Sequence, residues 1–393
     1  VRERLMSPLK RILSIFQGCA MMLFVPPFML WAWFRFAPRY GRVLPFDLRP
    51  ALQIAQNLWQ VVCGGMLAIP LFFLFVWIAK KRAEAQRMQA IAEAVAAGPS
   101  IALLPRSDWK KINPEDVQLW ARLADALPHD EPISFEIGGN DIQSFFALHG
   151  SEAGLRAAYT QVKAEWPGAE RRPLGADETP DPAQLPAGWH LWWAECAPVN
   201  WNKPIQALTD DPLRSVLVEL NAVTGQGRGL VQLVAKRDFG TRQRLGKAAF
   251  SARDEENQSK GIRALRSQEA KELEKRARQT FLEVSVRAVG MADTPERAQG
   301  IARGLARTIA ASFSHSNPIR VMQEGPDPAR VARRAFGKRG IWSADELAWL
   351  GHLVGGDMLH VAPRLQSAAA KSLPADPEMR IMPQHLVARV RWD

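Results

Sequence analysis

The chain begins with two long apolar runs. Residues 12–34 and 58–79 contain no charged side chain, and a helix needs about 20 mainly apolar residues to cross the hydrocarbon core of a bilayer. The pattern therefore predicts an N-terminal two-helix transmembrane hairpin over residues 1–82. A cleaved signal peptide is the alternative for the first run, but its apolar stretch is too long and no small-residue cleavage site follows it.

Basic residues set the expected orientation of this hairpin, because Lys and Arg next to membrane helices stay on the cytoplasmic side. The topology-setting residues are Arg2, Arg4, Lys10 and Arg11 before the first run and Lys80, Lys81 and Arg82 after the second. The loop between the runs also carries arginines, which weakens the asymmetry. The flanks favour an arrangement in which both termini are cytoplasmic and membrane lipid surrounds the hairpin.

Helical and strand periods begin at residue 83. Residues 83–97 are rich in Ala, Glu and Gln, which predicts a helix that ends at Gly98 and Pro99. The apolar side chains within 107–127 share one helical face, whereas residues 133–137 alternate between apolar and polar positions as a half-buried strand does. The other elements predicted in this half are a turn at 138–141, a second strand within 142–148 and a helix over 151–166.

The second half of the chain repeats this order of elements. Strands are predicted for 189–198, 216–220, 230–235 and 281–289, and helices for the charged tract 242–278, for 294–312 and for 343–353. The predicted fold class is a transmembrane hairpin followed by an α+β soluble region of two related strand-strand-helix, ferredoxin-like units. The expected segments are the hairpin (1–82), a helical membrane-proximal stalk (83–128), the first α+β unit with a linker (129–188), the second with a charged helical insertion (189–316) and a connector (317–393).

The balance of charge favours an anionic partner. The chain has 51 Lys+Arg against 40 Asp+Glu, a formal net charge of +11 at pH 7. Such an excess suits nucleic acid or an acidic lipid surface. Membrane proteins also collect basic residues for topological reasons.

The motifs of common enzymes are missing from the sequence. The string 240–248 resembles a phosphate-binding loop, but it has five residues between its glycines and Ala248 where a hydroxyl is needed. The Gly225, Gly227 and Gly229 cluster leads into a strand rather than a helix, which is typical of a turn. The seven histidines and three cysteines are scattered without metal-ligand or disulfide spacing. We therefore expect no catalysis by this chain and no cofactor or metal.

One basic tract is a candidate binding surface. It holds five cations against the single acidic residue Asp238, and clustered cations can hold a phosphate backbone. The candidate contacts to DNA or anionic lipid are Lys236, Arg237, Arg242, Arg244 and Lys247. The later part of the tract, 263–278, mixes both signs as a solvated helix does. A nearby group of tryptophans could stack on bases, although packing in a core or an interface is the favoured use; its members are Trp189, Trp192, Trp193 and Trp201.

Several short strings, taken in their order along the chain, resemble a known family. They are Ser134-Phe135-Glu136-Ile137, Phe145-Phe146-Ala147-Leu148, the stretch from Val162 to Glu170, the Gly-Gln-Gly turn at 225–227 and Glu-Leu-Ala-Trp-Leu-Gly-His-Leu at 346–353. Together they resemble the membrane-anchored N-terminal half of bacterial conjugative, type IV secretion coupling ATPases, over most of positions 1–370. The order of these strings along the chain carries the resemblance.

The resemblance implies a hexameric motor of the bacterial inner membrane that recruits DNA for transfer, with ATP bound by a RecA-like domain after this region. The 393 residues contain no Walker motif, so the motor is expected as a missing domain or a separate partner chain. We therefore expect a membrane-anchoring and assembly module of a DNA-transfer coupling apparatus, a homo-oligomer that works with an ATPase motor. The alternatives are a membrane-tethered structural or signalling scaffold with no nucleic-acid role, and a membrane-tethered enzyme.

Overall fold

A computed structural model describes residues 49–128, 131–174, 185–253, 260–336, 340–358 and 360–368; for 49–71, 253 and 260–266 it describes the backbone alone. The first predicted membrane span lies outside the described residues, as do Arg2, Arg4, Lys10 and Arg11. The chain divides into two compact units, Val1–Arg82 and Ala83–Asp393. All of the strands in the described part of the chain belong to the second unit.

Helix α1, Arg49–Ala96, is 48 residues long and contains the second predicted span as well as Lys80, Lys81 and Arg82. No helix in the described part of the chain combines the length and the apolar character that a membrane crossing requires. The prediction of a transmembrane hairpin is therefore wrong. The uncharged run 58–79 lies inside α1, whose backbone continues without a break through the basic residues at 80–82 as far as Ala96.

The described strands form one nine-stranded antiparallel sheet in the second unit. Its strands are β1 Ser100–Leu104, β2 Ile133–Asn140, β3 Ser144–His149, β4 Glu170–Pro173, β5 His190–Pro198, β6 Gly227–Arg237, β7 Phe281–Ala292, β8 Ile319–Gly325 and β9 Gly340–Ser343. The helices of this unit are α2 Leu119–Ala126, α3 Glu152–Glu165, α4 Pro212–Ala222, α5 Thr241–Arg253, α6 Lys260–Ala277, α7 Pro295–Ala311, α8 Pro328–Ala332 and α9 Ala344–Ala348.

The sheet is built from the same arrangement used twice. The first half-sheet follows the chain order β1-α2-β2-β3-α3-β4, and the second follows β5-α4-β6-β7-α7-β8. In space the strands lie in the order β4-β1-β3-β2-β6-β7-β5-β8, so the second half-sheet mirrors the sequence of strands in the first. Each half has the βαββαβ connection of ferredoxin-like folds. The two halves meet where β2 pairs antiparallel with β6, from Ile133↔Ala235 to Asn140↔Arg228.

Two additions break this internal symmetry. Helices α5 and α6 replace the turn between β6 and β7, whereas β2 and β3 in the first half are joined by the short segment 141–143. The strand β9 pairs with the start of β7, from Phe281↔Ser343 to Val284↔Gly340. The second half-sheet therefore carries a helical insertion, which will be called the α5–α6 hairpin.

The two faces of the sheet bury different side chains. Alternate residues of the central strands, such as Phe135 and Ile137 of β2 and Val231 and Leu233 of β6, pack with the helices in one large apolar core. The residues between them point to the opposite face, because successive side chains of a strand alternate. That opposite face is also buried, and it holds charged side chains such as Glu136.

One strand prediction is wrong, because residues 216–220 lie in helix α4. The side chain of Asp211 accepts hydrogen bonds from the amides of Leu213 and Arg214, and Pro212 occupies the first helical turn, so the segment has a capped helix start. Its buried apolar residues, Leu213, Val216, Leu217 and Leu220, recur at helical spacing. The five residues of the predicted strand were too few to show this helical period.

Candidate functional site

The five candidate cations lie at the end of β6 and along α5, but the structure gives them different roles. Lys236 is buried, its Nζ lies 3.4 Å from Oε2 of Glu283, and it sits 5.6 Å from the ring centre of Phe336. This residue belongs to the packing of the sheet. It is therefore a poor contact for an external phosphate.

Arg242 also has an intramolecular role, although its side chain lies at the surface. Its Nε donates to the carbonyl of Gln279 at 2.8 Å, and its Nη2 donates to the carbonyl of Arg278 at 3.2 Å. These carbonyls directly follow α6, where backbone acceptors lack partners within the helix and cations are favoured. Arg242 thus fastens the start of α5 to the end of α6.

Arg237 and Arg244 combine partial exposure with weak ion pairs. Arg237 reaches Asp125 at 3.2 Å and lies 4.8 Å from the ring centre of Phe239. Arg244 donates to Oγ1 of Thr241 at 2.6 Å and stacks 5.0 Å from the ring centre of Trp201. Surface ion pairs are worth about 0–1 kcal/mol, so a phosphate could replace such a partner at small cost.

The outer side of α5 presents basic and aromatic groups together. Leu245 and Ala249 face inward and pack with Leu273 of α6 and Phe281 of β7. Lys247 and Phe250 lie one helical turn apart on the other side, and both are exposed, Phe250 by 66%. We define the basic–aromatic surface as Arg237, Phe239, Arg242, Arg244, Lys247 and Phe250.

The acidic residue of this tract is occupied by the helix start. Asp238 accepts the amide of Thr241 at 2.8 Å through Oδ2 and the amide of Gly240 at 3.2 Å through Oδ1. These contacts cap the N-terminus of α5. Asp238 also lies 3.9 Å from Arg244. Because the carboxylate is tied to the backbone, the basic–aromatic surface keeps its positive character.

The phosphate-loop alternatives have structural roles. Gly225 adopts φ of +59° in the turn before β6, a conformation that favours glycine. Gly240 stands at the capped start of α5, whose buried face packs on α6. Neither glycine cluster forms a loop that could cradle phosphates between a strand and a core helix.

The titratable residues suited to chemistry are either dispersed or deeply buried. Within the described residues, no group of three or more His, Cys, Asp or Glu is placed to hold a metal ion. Burial raises the pKa of the Cys196 thiol to about 12, which keeps it protonated and unreactive. His129 and His385 lie outside the described residues.

The tryptophans divide between the core and the surface. Trp193 is buried beneath arginine side chains, and Trp189 lies against the same small apolar cluster with Arg228 5.1 Å from its ring centre. Trp201 is 38% exposed and borders the basic–aromatic surface through Arg244. Trp201 is thus the member of this group that can reach a ligand there.

Sequence reasoning missed a row of charged residues inside the sheet. Glu136, Gln232, Arg287 and Glu195 are direct cross-strand neighbours on β2, β6, β7 and β5. All four are fully buried. In the sequence, Glu136, Glu195 and Arg287 each stand between two apolar residues of a strand. Alternation alone assigns such a charged residue to a solvent-exposed face.

Hydrogen bonds connect this row from end to end. Gln232 donates to Glu136 at 3.1 Å, Arg287 donates to Gln232 at 3.0 Å, and Arg287 also donates to Glu195 at 3.2 Å. Arg334 adds a second cation to the row beside Arg287, and its Nε donates to Oε1 of Glu136 at 2.9 Å. Burial by itself raises the pKa of the Glu136 carboxyl, but the charge and hydrogen bonds of Arg334 outweigh it and hold that pKa below its usual 4.5.

The fold and this site define a doubled α+β module that carries a basic helical hairpin. No protein-family model matches the chain, and the search of curated proteins found no match either.

Proposed function

We propose that the chain is an assembly module of a DNA-transfer apparatus of the conjugative, type IV secretion kind, and that it holds DNA on the basic–aromatic surface. The observation that carries the proposal is the outer side of α5, where Lys247 and Phe250 are exposed together beside the arginines at its start. In this proposal, ATP turnover belongs to a partner motor around which several copies assemble.

The surface has both kinds of group that nucleic acid requires. Cations supply affinity that does not depend on sequence, by displacing the counterions of the phosphate backbone. Exposed aromatic rings supply stacking worth about 1–3 kcal/mol for each base. Phe239, Phe250 and Trp201 are all more than one-third exposed, and two of them lie under arginine side chains.

The α5–α6 hairpin is also suitably supported for such a role. Its base packs on β7 through Leu245, Leu273 and Phe281, and Arg276 of α6 is anchored to Glu346 at 2.6 Å. The apolar contacts hold the inner face of α5, the ion pair holds α6, and Lys247 and Phe250 on the outer side of α5 are exposed. Anchoring at the base reduces the cost of ordering these cations when a ligand binds.

The test is the salt-dependent binding of the full chain to a fluorescently labelled DNA oligonucleotide, followed by anisotropy between about 50 and 200 mM salt. Lys247→Glu is the sharpest variant, because Lys247 is exposed on the outer side of α5. We expect it to weaken binding and to reduce the slope of log affinity against log salt by about 1 or more. Phe250→Ala should weaken the binding of single-stranded DNA and change the salt slope little.

Arg156→Glu is the matched control. Arg156 is exposed on α3 of the first half-sheet, and its partner Glu152 is one helical turn away, so the charge change is the same while the surface is different. Binding that falls equally in both variants reflects net charge alone and contradicts the proposed surface. Absence of salt-sensitive binding by the wild-type chain would instead favour a scaffold without a nucleic-acid role.

A further inference from the structure

A short segment crosses the face of the sheet that the helices leave open. Residues 326–336, which we call the strap, follow β8 and include α8. Val331 of the strap packs in the small apolar cluster with Trp193 and Leu230. The strap thus covers the buried charged row on the central strands.

The strap makes one ion pair with each half-sheet. Arg334 binds Glu136 of β2 in the first half, through Nε at 2.9 Å and Nη2 at 3.4 Å. Arg330 binds Glu195 of β5 in the second half, at 3.1 Å. The strap therefore joins the two half-sheets across their junction at β2 and β6.

The charged row also holds the backbone of the strap. Arg287 donates to the carbonyl of Ala335 at 2.6 Å and to that of Arg330 at 3.3 Å, and Gln232 donates to the carbonyl of Val331 at 3.2 Å. Every one of these contacts is polar. Such contacts can be exchanged for water without exposing much apolar surface.

Apolar burial contributes little to the docking of the strap. Among its eleven residues, all of which the structure describes, Val331 alone has a fully buried apolar side chain. Arg334 adopts φ of +46°, a left-handed conformation that a residue with a Cβ takes only when its surroundings hold it there. Few apolar contacts and a strained residue are features of segments that open locally.

The buried row loses positive charge when the strap leaves. Among the described side chains, Arg287, Arg330 and Arg334 pair with the carboxylates of Glu136 and Glu195 when the strap is docked, and the strap supplies two of these three guanidinium groups. The open face would therefore be acidic and hydrated. At the same time, the cations of the strap would become available to an anionic partner.

We propose that the strap is a releasable latch, which locks the two half-sheets together when docked and opens as a unit while the sheet stays folded. The geometry of its two ion pairs carries this proposal, which does not depend on DNA binding by α5. Release uncovers the acidic row and frees the chain around α8, so that the docked and open states present different surfaces to a partner.

Native-state proteolysis of the full chain tests the latch, because trypsin cleaves after arginine and three arginines lie in the strap, at 330, 333 and 334. Cleavage requires the strap to open, and its rate follows the population of the open state when closing is fast. We expect strap cleavage in the wild-type chain to depend weakly on urea. The double variant Glu136→Gln, Glu195→Gln should accelerate it about tenfold or more, since both ion pairs lose their anion.

Glu165→Gln is the control, because Glu165 is another carboxylate paired with an arginine, Arg122, at 3.2 Å and away from the strap. It should leave the rate of strap cleavage unchanged. If strap cleavage instead shows the same urea dependence as unfolding of the whole sheet, or does not respond to the double variant, the latch is refuted.

Hydrogen exchange of the wild-type chain gives a second test that needs no variant. The amides of Arg333, Arg334 and Ala335 bond within the strap, to the carbonyls of residues 329, 331 and 330. We expect them to exchange faster than the amides of β6 and with little dependence on urea. Exchange of these amides at the same rate as β6 would overturn the proposal.

Discussion

The guanidinium of Arg334 pairs with the buried carboxylate of Glu136 although the backbone of Arg334 lies in the left-handed region, at φ of +46°. The pairing fixes a conformation that costs about 1–2 kcal/mol for a residue with a Cβ. The ion pair must offset this conformational cost. The net free energy with which Arg334 holds the strap on β2 is therefore smaller than that of the ion pair alone. This relationship makes the conformational cost measurable by substitution.

Arg334→Gly and Arg334→Ala both remove the guanidinium. The left-handed φ has a steric cost for alanine but not for glycine, which lacks a Cβ. We expect Arg334→Gly to have the higher free energy of unfolding, by about 0.5–1 kcal/mol, the reverse of the usual order for these two residues. Urea unfolding of the two full-length variants measures the difference. An alanine variant as stable as the glycine variant would mean that the strap relaxes at this position.

Acid should destabilise the fold through His149. Its Nδ1 accepts from Ser100 and its Nε2 donates to the carbonyl of Val95, both at 2.7 Å. Burial, followed by the charge of Arg334, lowers the pKa of His149 from 6.5 to about 4, against the opposing charge of Glu136. At neutral pH the folded chain therefore holds His149 in its uncharged form.

His149 binds a proton more readily in the unfolded chain than in the folded one. The contribution of neutral His149 to the free energy of unfolding is therefore fully present above pH 6.5, and it is lost as the pH drops from 6.5 towards about 4. The loss in this window is up to about 1.4 kcal/mol for each pH unit. His149→Gln should be less stable at neutral pH but should lose less on acidification. Chemical unfolding at several pH values checks this, and parallel losses in both proteins would contradict the assignment.

Two glycines near α7 should respond to alanine in opposite directions. A Cβ on Gly290 of β7 would lie 2.1 Å from the carbonyl oxygen of Ala298 and 2.7 Å from the amide of Ala302, so the helix and strand would have to separate. We expect Gly290→Ala to lower the free energy of unfolding by about 1–3 kcal/mol or more.

Gly300, in contrast, is exposed on α7, and a Cβ there would meet no atom within 4 Å beyond its chain neighbours and the backbone of its own helix. Gly300→Ala should stabilise the chain by about 0.5–1 kcal/mol, since alanine is the better helix former. Thermal or urea unfolding of both variants tests the pair. Equal effects would show that the close approach of α7 to β7 is not tight.

Glu346 should be the most sensitive residue at the base of the α5–α6 hairpin. Its carboxylate accepts from Arg276 at 2.6 Å, from the amide of Ile205 at 2.8 Å and from the amide of Ser343 at 2.7 Å. Glu346→Ala leaves a buried arginine and two amides without these acceptors, which we expect to cost about 3–5 kcal/mol.

Asp345 is the matched control, since it is an exposed carboxylate on the same short helix and accepts from Gln279 at 3.2 Å. Asp345→Ala should cost about 0.5 kcal/mol or less. The two variants are compared by urea unfolding of the full chain. A small loss for Glu346→Ala would show that the cluster relaxes around the missing carboxylate.

Local patterns predicted many elements, because the information for them lies within a few residues. Thr294 followed by Pro295 is the capped start of α7, and Ser151 caps α3, as expected from residue type and spacing. The alternation at 133–137 is the start of β2. These features depend on neighbours along the chain.

Other features needed contacts from distant residues. Gly138 and Gly139 indicated a turn, yet they lie inside β2. Glycine is needed at these positions because the ring of Phe145 and the side chain of Leu220 occupy the space that a Cβ would fill. The α5 surface was predicted as a run of five cations, but the structure buries Lys236 and uses Arg242 to fasten α6. Exposure of Phe250 and capping by Asp238 were not visible in the order of residues.

The helical and strand periods, the caps of α3 and α7 and the concentration of positive charge near α5 follow from residue type at short separation along the chain. Tertiary structure decided which strands meet, how β2 and β6 join the half-sheets, and that Glu136, Glu195 and Arg287 are buried together. A charge between two apolar residues shows only that the charged side chain lies on the other face of the strand. Whether that face meets water or the strap depends on residues nearly 200 positions away, as the pairing of Glu136 with Arg334 shows.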